Sequence, residues 1–425
     1  MNSERKALTS ALCDALVIVP LAVLAVAATA SLLARAGIPF SAAYTGGILA
    51  AVAGTLAVSY RRQTLIALPS PAIGAWLVYE EIIARGLMWQ EVLSIAALVS
   101  CLSVPLLYTG CALRTAAAVP PVIRMGLVLG LGLSLLTSAA LSARILLPSP
   151  WALTMSGTLS DPLAYYTLTA ILLALLLHAM RVRCALPLAM GITAILTWAE
   201  GFWALPDTPF LMPEPAGMAL MLPQADAFPS AAALALTLLL TLVAENAAVL
   251  LARTGETAQQ QMQKTLPRLF AVSGIAALLG VLPLTIAPLS AVLPASDAEK
   301  RIAGIPLTAG ISSLFLLILL PCTPLVQEMA AFPAAPSAAL ALLGLMLLTR
   351  ALALLRRMKT VPDMREAAVY AAFLLASYDI KTGLTTSLLL WVLLTAARGE
   401  HRSIPHGTWI LSAVLLLLAL LKWIR

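Results

Sequence analysis

Long apolar runs follow one another along this chain with only short charged hinges between them, and that pattern leaves few folds open. The first run, Leu12 to Leu33, carries a single charged residue, Asp14, near its start. About 20 such residues cross the hydrocarbon core of a bilayer as a helix. Hydrophobic residues make up 61% of the chain and charged residues 11%, more apolar surface than a water-facing outer layer can hide. In lipid every backbone N–H and C=O must be paired within the protein, which leaves helices or closed barrels. The runs are long and do not alternate as barrel strands do. The expected fold is therefore an all-α integral membrane protein.

Candidate spans lie near 12–34, 42–60, 64–83, 91–110, 118–146, 163–180 and 184–204. A second set lies near 229–252, 266–282, 283–297, 303–330, 333–355, 365–380 and 382–398, and an apolar run at 406–424 is left over. Seven segments in each set suggest an inverted repeat. Placing the N-terminus in the cytoplasm puts the basic hinges on the inner side, among them Arg61-Arg62, Arg181 with Arg183, Arg253, Lys264 with Arg268, and Arg350 through Arg365. The outer side receives Arg35, Arg85, Arg144 and Lys381. The longest outer loop, 205–228, holds Asp207, Glu214 and Asp226 and no Lys or Arg. That asymmetry follows the positive-inside rule and predicts a multi-pass protein of the plasma (inner) membrane. The run 406–424 either spans or lies along the inner surface.

The same reasoning disposes of other classes. The net charge of +7 sits in the hinges that set topology, so no nucleic-acid partner is expected. Cys13, Cys101, Cys111, Cys184 and Cys322 form no CxxC pair and read as small packing residues. His178, His401 and His406 share no metal-ligand spacing, and no phosphate-binding glycine loop appears. No cofactor and no metal are expected. Trp89, Trp151 and Trp423 suit interfacial anchors; the basic stretch from Arg350 to Arg365 could in addition meet anionic membrane lipids. Gly46-Gly47, Gly54, Gly126, Gly130 and Gly132 suit close helix packing.

Two segments are broken by proline at corresponding places. The third carries Pro69-Ser70-Pro71 with Gly74 behind it, and the tenth carries Pro283, Pro288 and Pro294. Proline within a span removes a donor and releases a carbonyl, which lipid does not tolerate but a polar cavity can use. Paired broken segments mark the midplane binding site of inverted-repeat transporters. The simpler alternative is a pair of kinked, packed helices. Glu245, in the run LTLVAENAAVLLA, is the second pointer. A carboxylate at that depth costs at least about 2.5 kcal/mol to insert, so it should face protein or water, either as a proton carrier and ligand partner or as a structural hydrogen-bonding group. Asn246 adds an amide beside it. Glu80 and Glu81 are expected at the outer lip.

These residues resemble a known family. The stretch LAAVAGTLAVSYRRQTLIALPSPAIGAWLVYEEIIARGLMWQEVL resembles the second and third spans of the nucleobase permeases, in the adenine/guanine/hypoxanthine branch of the xanthine/uracil permease superfamily. The likeness continues through ALTMSGTLSDP, LVAENAAVLLARTG and SLLLWVLLTAARG. It implies a seven-plus-seven inverted repeat. The first repeat would occupy 1–204 (core spans 12–110, gate spans 118–204), followed by the extracytoplasmic loop 205–228. The second would occupy 229–398 (core spans 229–330, gate spans 333–398), ahead of a C-terminal apolar segment, 399–425. It also implies proton-coupled import of a purine or similar small planar solute. Glu245 falls on the acidic position of the eighth span that contacts the base. Pro69, Ser70, Pro71 and Gly74 fall on the third-span motif, and Thr285, Leu289 and Ser290 on the tenth. The family's tenth-span pattern TTYxE reads LTIAPLS here, so Leu289 stands where a carboxylate is expected. Ser70 and Gly74 replace a glycine and an asparagine.

Three functions compete on these residues: nucleobase–proton symport with Glu245 carrying the proton, an anion carrier on the same scaffold, and a membrane protein that has lost transport and serves as a sensor or assembly partner. A membrane enzyme ranks last, because no second titratable group is placed to work with Glu245. A homodimer is compatible with the large apolar gate face.

Overall fold

The computed structural model describes residues 2–61, 63–109, 118–147, 155–182, 184–214, 217–219, 221, 228–254, 258–293, 301–356, 361–377 and 380–423. Cys111, Trp151, Arg183, Asp226 and Pro294 lie outside the described residues.

The first set of segments comprises α1 (Asn2–Arg35), α2 (Phe40–Ser59), a broken third segment, α4 (Trp89–Tyr108), α5 (Pro121–Ser142), α6 (Pro162–Ala179) and α7 (Ala185–Ala199). The third segment is a strand, β1 (Ala67–Pro69), then a short helix, α3 (Pro71–Trp76), which widens into a π-helical stretch, Leu77–Ala84. A small pair of strands, β2 (Leu146–Leu147) and β3 (Met155–Ser156), lies between α5 and α6.

The second set repeats the plan. It comprises α8 (Phe228–Thr254), α9 (Ala258–Leu278), a broken segment made of β4 (Leu284–Ile286) and α10 (Leu289–Val292), and a bent pair, α11 (Leu307–Ile318) and α12 (Thr323–Ala331). The bend in that pair is 50°, at the break around Leu319, just ahead of Pro321. A hairpin, β5 (Arg301–Ile302) with β6 (Ile305–Pro306), precedes it. Then come α13 (Ala334–Leu355), α14 (Val361–Ser377) and α15 (Ile380–Ala397), and the leftover run forms α16 (His406–Trp423).

Among the described residues, seven helices are long and apolar enough to cross a membrane unaided, and the bent pair makes an eighth candidate. The two broken segments account for the difference from the sequence expectation, together with shorter apolar helices such as Ala185–Ala199. An odd number of segments per set means that the second set enters the membrane from the opposite side to the first, which makes the repeat inverted. The fold is the all-α inverted-repeat membrane architecture expected from the sequence.

The helices pack in two groups. One joins α1, α2, α4, α8, α9 and α11, with α4 against α9 and α2 against both α9 and α11. The other joins α5 to α13 and α14, and α6 to α7 and α13. The seams are made largely by α8, which touches α5 and α15.

At the centre of the first group the two broken segments meet. Strands β1 and β4 pair antiparallel, with Ala67 opposite Ile286, Leu68 opposite Thr285 and Pro69 opposite Leu284. The ladder is closed at both ends by equivalent bonds: Ser70 N donates to Pro283 O at 3.2 Å, and Ala287 N donates to Ile66 O at 2.8 Å. Each bond joins the residue after one strand to the residue before the other, so the two repeats cross about a local two-fold axis.

Extended backbone buried this deeply needs partners on its outer edges as well. Hydroxyl groups on the flanking helices supply them. Thr55 Oγ1 of α2 accepts from Ala67 N at 3.1 Å, and Ser273 Oγ of α9 accepts from Leu284 N at 3.0 Å. These are again equivalent, each binding the first residue of its strand from the preceding helix. Ser59 Oγ exchanges bonds with Leu65 N and O.

Glycine makes the close approach possible. A Cβ on Gly54 would lie 2.9 Å from Ala67 Cβ and 3.0 Å from Leu284 Cδ1. In the second helix group, one on Gly126 would lie 2.8 Å from Tyr370 Cβ, and one on Gly130 2.8 Å from Leu374 Cβ. The packing role expected of these glycines holds. Gly54→Leu should therefore overpack the strand crossing and destabilise the detergent-purified protein by about 1–3 kcal/mol. Gly191→Leu, where nothing lies within 4 Å, should not lower the melting temperature.

Candidate functional site

Glu245 lies on α8, beside the strand crossing, and is 5% exposed. Its carboxylate is held from both repeats. Ser70 Oγ donates to Oε1 and Oε2, each at 3.0 Å, and Thr285 Oγ1 donates to Oε1 at 3.2 Å. Ser70 is the residue that follows β1, and Thr285 is the central residue of β4. The broken segments thus deliver one hydroxyl each to a single acid on a third element. Both are nearly inaccessible, at 1% and 2% exposed.

Ser70 also caps α3: its Oγ accepts from Ile73 N at 3.3 Å, with Pro71 at the first helical position. This is the ordinary way to satisfy a helix start. The same oxygen thus accepts from the helix and gives its proton to Glu245. Pro71 itself is exposed.

The other sequence-selected residues serve the backbone. Asn246 is fully buried, and both ends of its amide are engaged. Its Oδ1 accepts from Ile286 N at 2.8 Å, and its Nδ2 donates to Leu242 O at 2.7 Å. Ser290 Oγ accepts from Ile66 N at 2.9 Å and donates to Ile66 O at 3.3 Å, tying α10 to the chain just before β1. Gly74 faces Leu282, whose Cδ1 would lie 2.5 Å from an added Cβ. Leu289 is buried at the start of α10, so at its position the tenth segment presents an aliphatic group. The structure therefore gathers Glu245, Ser70 and Thr285 into one polar cluster, while Asn246, Ser290 and Gly74 hold the frame around it.

The half-helices differ from each other. The stretch after the first break runs from Pro71 to Ala84, whereas α10 spans Leu289–Val292. Glu81, expected at the outer lip, is buried and ion-paired with Arg85 at 2.8 Å; Glu80 lies 3.7 Å from the same guanidinium. A π-helical stretch, Leu77–Ala84, carries both acids.

Thr55, Ser59, Ser273 and Arg253 were not singled out as frame residues by the sequence, although the Gly54-Thr55 pair belongs to the resemblance. Arg253 of α8 donates to Ser290 O, so the same helix that presents Glu245 also fixes α10. Their signal is a small hydroxyl or a basic residue within or beside an apolar span, which is also what an unremarkable packing position looks like.

No family model matches the chain. It is 27% identical over 188 residues to the guanine/hypoxanthine permease PbuO of Bacillus subtilis, a match that covers 42% of this chain and 44% of the permease, less than half of that relative's length. The transmembrane domain of the cyanobacterial bicarbonate transporter BicA superposes with a TM-score of 0.59 at 15% identity, over 88% of this chain and 97% of that one. The murine SLC26 family member A9, an anion transporter solved in its inward-facing state, gives 0.51 at 12% identity, over 92% of this chain and 68% of that one. The chain shares the fold of these membrane proteins. The resemblance to nucleobase permeases read from its sequence stands.

The division of labour between site and frame is testable. Asn246→Leu should strip Ile286 N of its partner in a buried setting, destabilising the protein by about 1–3 kcal/mol. Glu245→Gln keeps an acceptor for Ser70 and Thr285, so its melting temperature should fall by less than that of Asn246→Leu in the same detergent.

Proposed function

We propose that this protein is a secondary transporter which imports a purine nucleobase, or a similar small planar solute, together with protons by alternating access. The observation that carries the proposal is the carboxyl of Glu245 held by Ser70 and Thr285 where the two broken segments cross. A protonatable group at this depth, bonded from both repeats, can exchange its hydroxyl partners for polar groups of a solute. Its proton then travels with that solute. The similarity to the guanine/hypoxanthine permease of Bacillus subtilis supports a base as cargo.

In this mechanism the helices α1–α4 and α8–α12 with their strands form a core that carries the site past a gate of α5–α7 and α13–α15. The two-group packing fits such motion. The N-terminus lies in the cytoplasm of a cell whose plasma (inner) membrane holds the protein. A second copy could cover the apolar face of α6 and α7, where Leu172, Leu176 and Ile195 are exposed.

One observation favours a second reading. Leu289 removes a hydrogen-bonding group from the tenth segment, and a site short of a partner binds a standard purine poorly. The fold is that of anion transporters as well, so a small anion is the alternative cargo.

Thermal stabilisation of the detergent-purified protein by purines, pyrimidines and small anions, at two pH values, decides between them. A ligand at 100 times its Kd adds about 2.7 kcal/mol to the folded state. Stabilisation by a purine that vanishes in Glu245→Gln supports base transport; a shift from an anion alone selects the second reading. Silence across the panel overturns both and leaves a protein without transport. In vesicles, Glu245→Gln should abolish uptake or its pH dependence, and unchanged uptake would remove Glu245 from the mechanism.

A further inference from the structure

A second feature lies at the seam between the helix groups, on the stretch of α8 that flanks Glu245. Arg124, in the first turns of α5, lines a cavity with Leu127 of the same helix, Leu240 and Ala247 of α8, and Leu411 and Leu415 of α16. The remaining lining residues are also aliphatic. The α16 wall is anchored: Thr408 is fully buried and its Oγ1 donates to Ala118 O at 2.7 Å.

The Arg124 guanidinium is partly buried, its Nε is shielded from solvent, and that atom has no hydrogen-bond partner among the described residues. Among the described residues no acid is ion-paired with it, and Glu366 of α14, which packs on α5, is taken by Arg398 at 2.7 Å. The four helices that line the cavity, α5, α8, α15 and α16, carry one carboxylate between them, Glu245, and that is bonded to Ser70 and Thr285. A cation among apolar walls is costly unless an anion meets it. An anion that meets it would come from outside these four helices.

The walls say what kind of anion. Apart from Arg124 they offer no side-chain hydrogen-bonding group, so they could not orient the edge of a base. They suit a hydrocarbon chain. Arg124 lies three residues beyond Pro121, about 4.5 Å along the axis from the start of the helix, so the cation sits near a helix end, while the α8 wall, Leu240 to Ala247, runs alongside Glu245 toward the middle of the membrane. Basic pockets between spans bind phosphate headgroups.

We propose that the seam cavity is a binding site for an anionic phospholipid, its phosphate on Arg124 and an acyl chain along Leu127, Leu240, Leu411 and Leu415. A lipid seated there bridges α8, which presents Glu245, to α5 and α16 on the other side of the seam.

The full chain in a mild detergent tests this, with melting temperature and native mass spectrometry read against added dioleoyl phosphatidylglycerol, dioleoyl phosphatidylcholine or inorganic phosphate. Phosphatidylglycerol should stabilise the protein and stay bound, whereas the other two should not. Arg124→Gln should weaken phosphatidylglycerol roughly tenfold or more, as loss of a charge-assisted bond does, while Arg402→Gln, at an exposed position between α15 and α16, leaves it unchanged. If Arg124→Gln fails to fold, Ala247→Phe, which crowds the apolar wall and keeps the cation, should produce the same loss. Equal binding in wild type and in the variant examined overturns the proposal. So does equal stabilisation by phosphatidylcholine, or by inorganic phosphate, which would make this a site for a soluble anion.

Discussion

Extended backbone at the middle of a membrane is the constraint on which the rest of this structure depends. Strands cannot lie open to lipid, because each unpaired amide or carbonyl there costs several kcal/mol. Here β1 and β4 answer each other, and their outer edges are closed by Thr55, Ser59, Ser273, Asn246 and Ser290. The crossing fixes where α3 and α10 begin, and it fixes which side chains reach α8. Glu245 receives its two hydroxyls because the ladder sets Ser70 and Thr285 on one side of the crossing.

The ladder ends have a further meaning. Ser70 to Pro283 and Ala287 to Ile66 are the same bond made from either repeat. Thr55 to Ala67 and Ser273 to Leu284 are likewise one device used twice. The frame is symmetric while the site is not: Ser70 serves the acid from one repeat, and the matching residue of the other is Ala287, which has no hydroxyl to give. Thr285, inside its strand, supplies the second donor. An asymmetric site on a symmetric frame lets one carboxyl serve both halves.

Much of this was legible in the chain. The fourteen runs, the two proline breaks and the isolated Glu245 follow from what lipid will and will not accommodate, and most of the segments expected lie within a few residues of where the structure has them, although α1 starts at Asn2 and α9 at Ala258, well ahead of the expected 12 and 266. The prolines could not reveal that the segments they break would pair as strands, because three residues carry no alternation to read. Asn246, Ser290 and Gly74 illustrate the other limit. A polar or small residue beside a break can serve a solute or the protein's own backbone, and the two demand the same residue types. Distances separate them, and composition does not. Glu81 shows it in reverse: it is buried and paired with Arg85, in a π-helical stretch that no spacing rule announces.

The strand crossing also has a consequence for biosynthesis. Ile66 and Ser290 are 224 residues apart in the chain, and β1 acquires its ladder partners only when β4 has been made. At the usual 5–20 residues per second of synthesis, the first strand waits on the order of ten to forty seconds with its ladder groups unanswered. Such a stretch cannot rest in hydrocarbon during that interval. The first repeat must stay at the translocon, at the bilayer surface or against its own helices until the second arrives, so the core assembles as a late, single event and not one hairpin at a time.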